Sequence, residues 1–179
     1  MTAGRLTEVK GNVILLRALS KAGFKDWRWI ICGEGEGLDE LRQLASVNKL
    51  TDHLFFKGWL TSSELRSELC QADVFVLPSL SEGFPLVLLE AADQKVPVIA
   101  TDVGDVKEVI TDQRMGWLIP SDNEEALTEA LNEAHELWEN HQLAEMGEQL
   151  KRWATRFSIE KQTESVQKFY TETRAENRR

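Results

Sequence analysis

An alternation in this 179-residue chain leaves it few folds to choose from. Continuous apolar runs, WRWIICG, DVFVLPS and KVPVIATD, recur between segments whose apolar residues fall at helical spacing: KGNVILLRALSKA, GLDELRQLASVNK, SSELRSELCQA and LVLLEAADQ. A strand that is apolar at every position must be buried on both faces, and a parallel sheet covered by helices provides that burial. HLFFKG and the shorter WLIP add two further strands. The pattern predicts an α/β fold, a Rossmann-like parallel sheet sandwiched by helices with right-handed crossovers.

Local signals refine this. Gly23 is placed to stop the first helix, Thr61 or Ser62 to cap the third with Glu64 completing a capping box, and Pro85 to open the fourth as its first helical residue. Residues 123–174 read as a helical C-terminal part, broken near Asn140–His141 and at Phe157–Ser158. No linker, repeat or low-complexity stretch divides the chain, so residues 1–179 are expected to form a single domain. Only Met1, Thr2 and Ala3 precede the loop GRLTEVKG, so the first strand is expected to be truncated or very short. Unless residues 1–3 suffice, such a domain should be marginal or should associate.

Composition excludes several functions. The apolar runs are far shorter than a membrane span and the N-terminus lacks the apolar core of a signal peptide, which points to the cytoplasm. Two cysteines, Cys32 and Cys70, make no disulfide framework. His53, His135 and His141 have no zinc-site spacing, and neither HExxH nor CxxC occurs, so no metal and no other cofactor is expected. A net charge of −9 argues against a nucleic-acid partner. Residues 121–150 hold nine acidic and no basic side chains, whereas 151–179 hold eight basic and four acidic. The basic segment reads either as a solvated helix face or as a weak peripheral contact with the inner face of a membrane or with a partner domain.

In open α/β sheets ligands bind beyond the carboxyl ends of the strands, where GRLTEVKG, CGEGEGL and PSLSEGFP should converge. Arg5 and Lys10 in the first loop could hold an anion or be solvated surface charges. Gly33, Gly35 and Gly37 permit close approach of a ligand, or serve a plain strand-to-helix turn, since GEGEG does not match GxGxxG. Gly83 and Pro85 lead into a helix whose first N–H groups suit a phosphate. Glu82 precedes that helix and Glu90 lies about 7 Å along its axis from Pro85, at about 1.5 Å per residue. That spread does not suit an acid–base pair on one bond; it suits hydroxyl acceptors gripping two parts of a long ligand. The plainer readings are a loop-surface carboxylate for Glu82 and a solvated or dipole-stabilised one for Glu90. Trp59, after the strand end at Lys57–Gly58, could stack on a base or be an ordinary core or surface aromatic.

EGFPLVLLE resembles the E-x7-E motif of the family 4 retaining glycosyltransferases. GRL…KG, the PS before EG, the EA after the second glutamate, PVIATDVG and GWL follow in that family's order, from about Gly4 to Tyr170. The resemblance implies a GT-B enzyme of two Rossmann-like domains, with this chain as the C-terminal, donor-binding half and the N-terminal acceptor half absent from it. It implies binding of a nucleotide-diphosphate sugar and retaining, metal-independent hexosyl transfer to an unknown acceptor in polysaccharide biosynthesis, with the isolated domain inactive alone. Glu82, Arg5 and Lys10 would then be catalytic: the two cations on the diphosphate with the Gly83 and Phe84 backbone, and Glu82 on the sugar hydroxyls. Glu90 would hold the ribose, and Gly4, Gly33, Gly35, Pro85, Leu86 and Trp59 would complete the donor site. Lys95, Asp105 with Lys107, and Cys70 depart from the family pattern, where glycine, glycine with proline, and tyrosine are usual. The competing readings are a non-catalytic or truncated interaction module on the same fold, and a nucleotide-sugar epimerase of GT-B fold. A Rossmann dehydrogenase is disfavoured, because no GxGxxG opens the first helix.

Overall fold

The computed structural model describes residues 1–158. The expected helical stretch beyond Ser158, and with it most of the basic segment, lies outside the described residues. Six strands, β1 (Thr2–Ala3), β2 (Trp29–Cys32), β3 (Leu54–Gly58), β4 (Phe75–Leu77), β5 (Val98–Thr101) and β6 (Gly116–Ile119), alternate with seven helices. The helices are α1 (Asn12–Lys21), α2 (Leu38–Val47), α3 (Ser62–Leu69), α4 (Leu86–Asp93), α5 (Val106–Val109), α6 (Glu124–Glu139) and α7 (Leu143–Ala154). Among the described residues no helix is long and apolar enough to cross a membrane.

The strands form two parallel ladders, β1-β2-β3 and β4-β5-β6. Met1 joins them: its nitrogen donates to the Val74 carbonyl at 2.9 Å, and its carbonyl accepts from the Val76 N–H at 2.8 Å. That pair of bonds is the parallel pattern around Phe75, so the spatial order is 3-2-1-4-5-6 and reverses between β1 and β4. Residues 1–3 therefore do supply the central strand, short as it is.

The inner strands β4 and β5 are apolar on both sides because each side meets helices. Val76, Ile99, Ile31 and Ile119 pack with α1, α2 and α6, whereas Phe75, Leu77, Val98 and Ala100 pack with α3, α4, α5 and α7. Burying each of these side chains except Ala100 contributes about 1.5–3 kcal/mol.

Helix ends follow the sequence with small shifts. Thr61 caps α3 in a complete capping box with Glu64, Asn123 caps α6 through the Ala126 N–H at 2.9 Å, and α6 and α7 are separated at His141, which takes φ 57°. The first helix does not run unbroken from Lys10: a 3-10 turn (Glu8–Lys10) ends at left-handed Gly11, and α1 starts at Asn12. Pro85 is the N-cap of α4 and not its first helical residue; its ψ of 94° lies outside the helical range. The short α5 has no counterpart in the sequence reading, being a single turn without periodicity.

One polar pair is buried at the centre of the sheet. Trp29, 2% exposed, donates its indole N–H to Thr2 Oγ1 at 2.9 Å. Replacing Thr2 by valine keeps the shape and strands the donor, at a cost of about 1–3 kcal/mol. Thermal denaturation of Thr2→Val should accordingly fall by about 2–4 °C per kcal/mol, with Thr2→Ser close to the parent. An unchanged midpoint in Thr2→Val would show that this bond contributes nothing net.

Candidate functional site

The reversal of strand order between β1 and β4 opens a crevice at their carboxyl ends. The loop after β1 is pressed into place by two glycines. Gly11, at φ 63°, lies so close to β4 that a Cβ on it would sit 1.9 Å from the Pro78 carbonyl oxygen. Gly33, at φ 135°, does the same against Gly4, where a Cβ would come within 1.8 Å of the carbonyl oxygen. The Val9 carbonyl accepts from Leu80 N–H at 2.7 Å and completes the seam. What approaches Gly33 and Gly35 closely is thus the first loop, Gly4 and Leu6 respectively, so these glycines serve loop-on-loop packing.

That seam brings Lys10 to Glu82. Lys10 Nζ donates to Glu82 Oε1 at 2.5 Å, and Ser79 Oγ donates to the same oxygen at 2.6 Å. The Glu82 side chain is 10% exposed and that of Lys10 26%. A carboxylate this shielded is tolerable because a cation and a hydroxyl meet it. The loop-surface reading of Glu82 is therefore replaced by a paired, largely covered one.

Beside the pair the backbone is open. A Cβ on Gly83 would meet nothing within 4 Å, while Gly104 packs behind it and the Asp105 N–H donates to the Gly83 carbonyl at 3.0 Å. The N–H groups of Gly83, Phe84, Leu86 and Val87 have no protein acceptor among the described residues, as at any helix start without a side-chain cap. The Phe84 ring packs on Phe157 at 5.4 Å, and Leu86 is 67% exposed.

Two depressions flank this rim and share Gly4. One is a narrow cleft of about 10 Å³ at Gly4, Arg5, Leu6 and Lys10. The other is an open cavity of about 250 Å³ whose lining includes Gly33, Trp59, Leu65, Val87 and Glu90. Trp59 is 73% exposed, which makes it a rim aromatic and removes the core alternative. Partial burial pushes the Glu90 carboxyl above its ordinary value, against the pull of Arg66. Cys32 also lines the cavity, and burial raises its thiol to about 11, so at neutral pH it is a protonated, apolar wall.

Of the expected site residues, Gly4, Arg5 and Lys10 line the narrow cleft and Gly4, Gly33, Trp59 and Glu90 the larger one; Glu82 is tied to the first through Lys10, Gly83 follows it, and Pro85 caps the helix that carries Glu90. Glu82, Gly83, Pro85, Gly35, Phe84 and Leu86 line neither depression. Ser79, Cys32 and Ser62 were missed as site residues; only Ser79 had a signal, as part of the quoted PS. Among the described residues no three of His, Cys, Asp and Glu come together as a metal-ligating group.

The departures from the family pattern are absorbed locally. Lys95 takes the left-handed φ of 61° itself and pairs with Glu148 at 2.5 Å, Asp105 opens α5, and Cys70 donates to Gln94 at 3.0 Å.

The family model described as glycosyl transferases group 1 matches residues 1–153. A phosphatidyl-myo-inositol mannosyltransferase of Mycolicibacterium smegmatis is 37% identical over 125 residues, 68% of this chain and 32% of that protein. The pneumococcal O-GlcNAc transferase GtfA, solved in complex with UDP and GlcNAc, superposes with a TM-score of 0.80 at 28% identity, covering 96% of this chain and 35% of its own. The C-terminal domain of a glycosyl transferase group 1 protein from Francisella tularensis superposes with a TM-score of 0.77 at 25% identity, covering 88% of this chain and 85% of that domain. The chain spans between 25% and 46% of the curated relatives it matches. On the family match, the motif order and the fold together, this chain belongs to the glycosyl transferases group 1 and has the Rossmann-like fold of GT-B glycosyltransferases.

Proposed function

We propose that this domain binds a nucleotide-diphosphate sugar across the rim and presents it for retaining, metal-independent glycosyl transfer, with the acceptor held by an N-terminal half outside this sequence. The observation that supports the reading is the Lys10–Glu82 pair at the cleft of Gly4 and Arg5, next to a larger depression that shares Gly4 and is lined by Glu90 and Trp59. UDP in the complex of the 28% identical O-GlcNAc transferase supports a nucleotide ligand.

In this reading the diphosphate lies at Arg5, Lys10 and the amides that open α4. Two cations and helix N–H groups supply the charge stabilisation that a divalent ion would otherwise provide. Lys10 exchanges Glu82 for the diphosphate, which frees the carboxylate to accept hydrogen bonds from sugar hydroxyls. Glu90 accepts from the ribose, and the exposed Trp59 face packs on the base. As the bond from the anomeric carbon to the diphosphate breaks, the acceptor hydroxyl attacks from the same face and its proton passes to the departing phosphate oxygen.

A titration of the domain with UDP, GDP, ADP and their common sugars, followed by amide NMR shifts, should move Arg5, Lys10, Gly83 and Phe84 with one nucleotide, and Glu90→Gln should weaken that binding. Silence up to millimolar concentration from a folded sample sinks the donor reading.

The pH dependence has a definite sign. Only the ionised Glu90 is a pure acceptor, and its carboxyl sits above the ordinary glutamate value because it is partly buried. Affinity should therefore be full above that raised value and decline as pH falls through it, beginning at a higher pH than an ordinary glutamate would give. Calorimetry across that range should show the decline in the parent and not in Glu90→Gln.

In the complete enzyme Lys10→Ala removes a preorganised donor to the leaving group and should lower kcat by about 10²- to 10³-fold. A loss below about threefold would discard the role given to Lys10.

A further inference from the structure

Two elements of the motif pattern have no task in the reading above, Ser79 of PS and Thr101 at the end of PVIAT, and they meet beneath Glu82. The Ser79 side chain is fully buried, at 0% exposure, and Thr101 is 3% exposed. Ser79 Oγ donates to Glu82 Oε1 at 2.6 Å. The Ser79 carbonyl in turn accepts from Thr101 Oγ1 at 2.6 Å and from Ser121 Oγ at 3.5 Å, so the last residue of β5 and a residue following β6 hold the β4 end in place. Thr101 Oγ1 also reaches the Leu77 carbonyl at 3.3 Å.

We propose that Ser79, clamped by Thr101, is a positioning residue that keeps the Glu82 carboxylate aimed into the crevice when Lys10 leaves it for an anionic ligand. The proposal rests on the donor reading above. Lys10 and Ser79 converge on the same oxygen, Oε1, and Oε2 has no protein partner among the described residues. Once Lys10 turns to a phosphate, Glu82 loses its charged partner and would regain rotamer freedom, which opposes its ordering. The Ser79 hydroxyl is buried and donates to Oε1 alone among the described residues, so it stays there and leaves Oε2 for a hydroxyl donor. Lys10 can therefore move while Glu82 does not.

The test compares UDP with UDP-N-acetylglucosamine, by calorimetry, in the parent, Ser79→Ala, Glu82→Ala and the double variant. Ser79→Ala should weaken the sugar nucleotide about tenfold, the scale of one hydrogen bond to a charged group, and change UDP less than about twofold. Combined with Glu82→Ala it should add nothing, because no carboxylate remains to be positioned. Equal losses for both ligands, or an undiminished loss without Glu82, would overturn the proposal.

A ligand-free measurement separates its failure from that of the donor reading. The ¹³Cδ signal of Glu82 should stay ordered in Lys10→Ala and become mobile when Ser79→Ala is added. Mobility in Lys10→Ala alone would overturn the positioning role even if a nucleotide sugar binds. Order that depends on Ser79 would uphold it even if neither of these two ligands binds.

Discussion

The structure depends on two backbone hydrogen bonds at Met1. They join a three-stranded ladder on one side to a three-stranded ladder on the other, and without them β1 and β4 would be two unpaired edges. The same seam sets the site, because the loop that leaves β1 must pass directly over the end of β4. Gly11 lets it pass close enough for Lys10 to reach Glu82. A side chain at position 11 would need the space held by the Pro78 carbonyl, so fold and chemistry meet at one glycine.

The layers of the fold were legible in the sequence because burial on both faces writes itself as unbroken apolar runs. VFVL and VPVIA could hardly be anything but inner strands, and the capping box at Thr61 marks a helix start through hydrogen bonds local to four residues. What escaped was whatever depends on contacts distant in sequence. The two-residue β1 carries no periodicity, and its status comes from partners about 30 and 75 residues away. The helix opened by Pro85 begins one residue late, since the preceding chain is drawn back by the Asp105 amide on Gly83.

The site was legible in its residues and much less so in their relations. Lys10, Glu82 and Glu90 stood out by type and spacing, but nothing in the order of residues says that Lys10 and Glu82 touch, because 72 positions separate them. The glycines of GEGEG invited a ligand-facing reading; Gly35 packs on the neighbouring loop, and Gly33 packs on it while also lining the larger depression. Ser79 and Thr101 lie in the stretches PS and PVIAT, but their residue types give no hint of contact with Glu82 or with each other. Their burial in the third dimension makes their hydroxyls matter.

In the Lys10–Glu82 pair the lysine already holds an anion supplied by the chain itself. An incoming anion competes with an internal carboxylate, and a bare phosphate wins Lys10 only by leaving a partly covered negative charge beside itself. A molecule that brings an anion and hydroxyl groups together satisfies both partners of the broken pair. In the proposed donor reading, discrimination between sugar-bearing and sugar-free nucleotides thus arises from this pair, before any contact with the base is made.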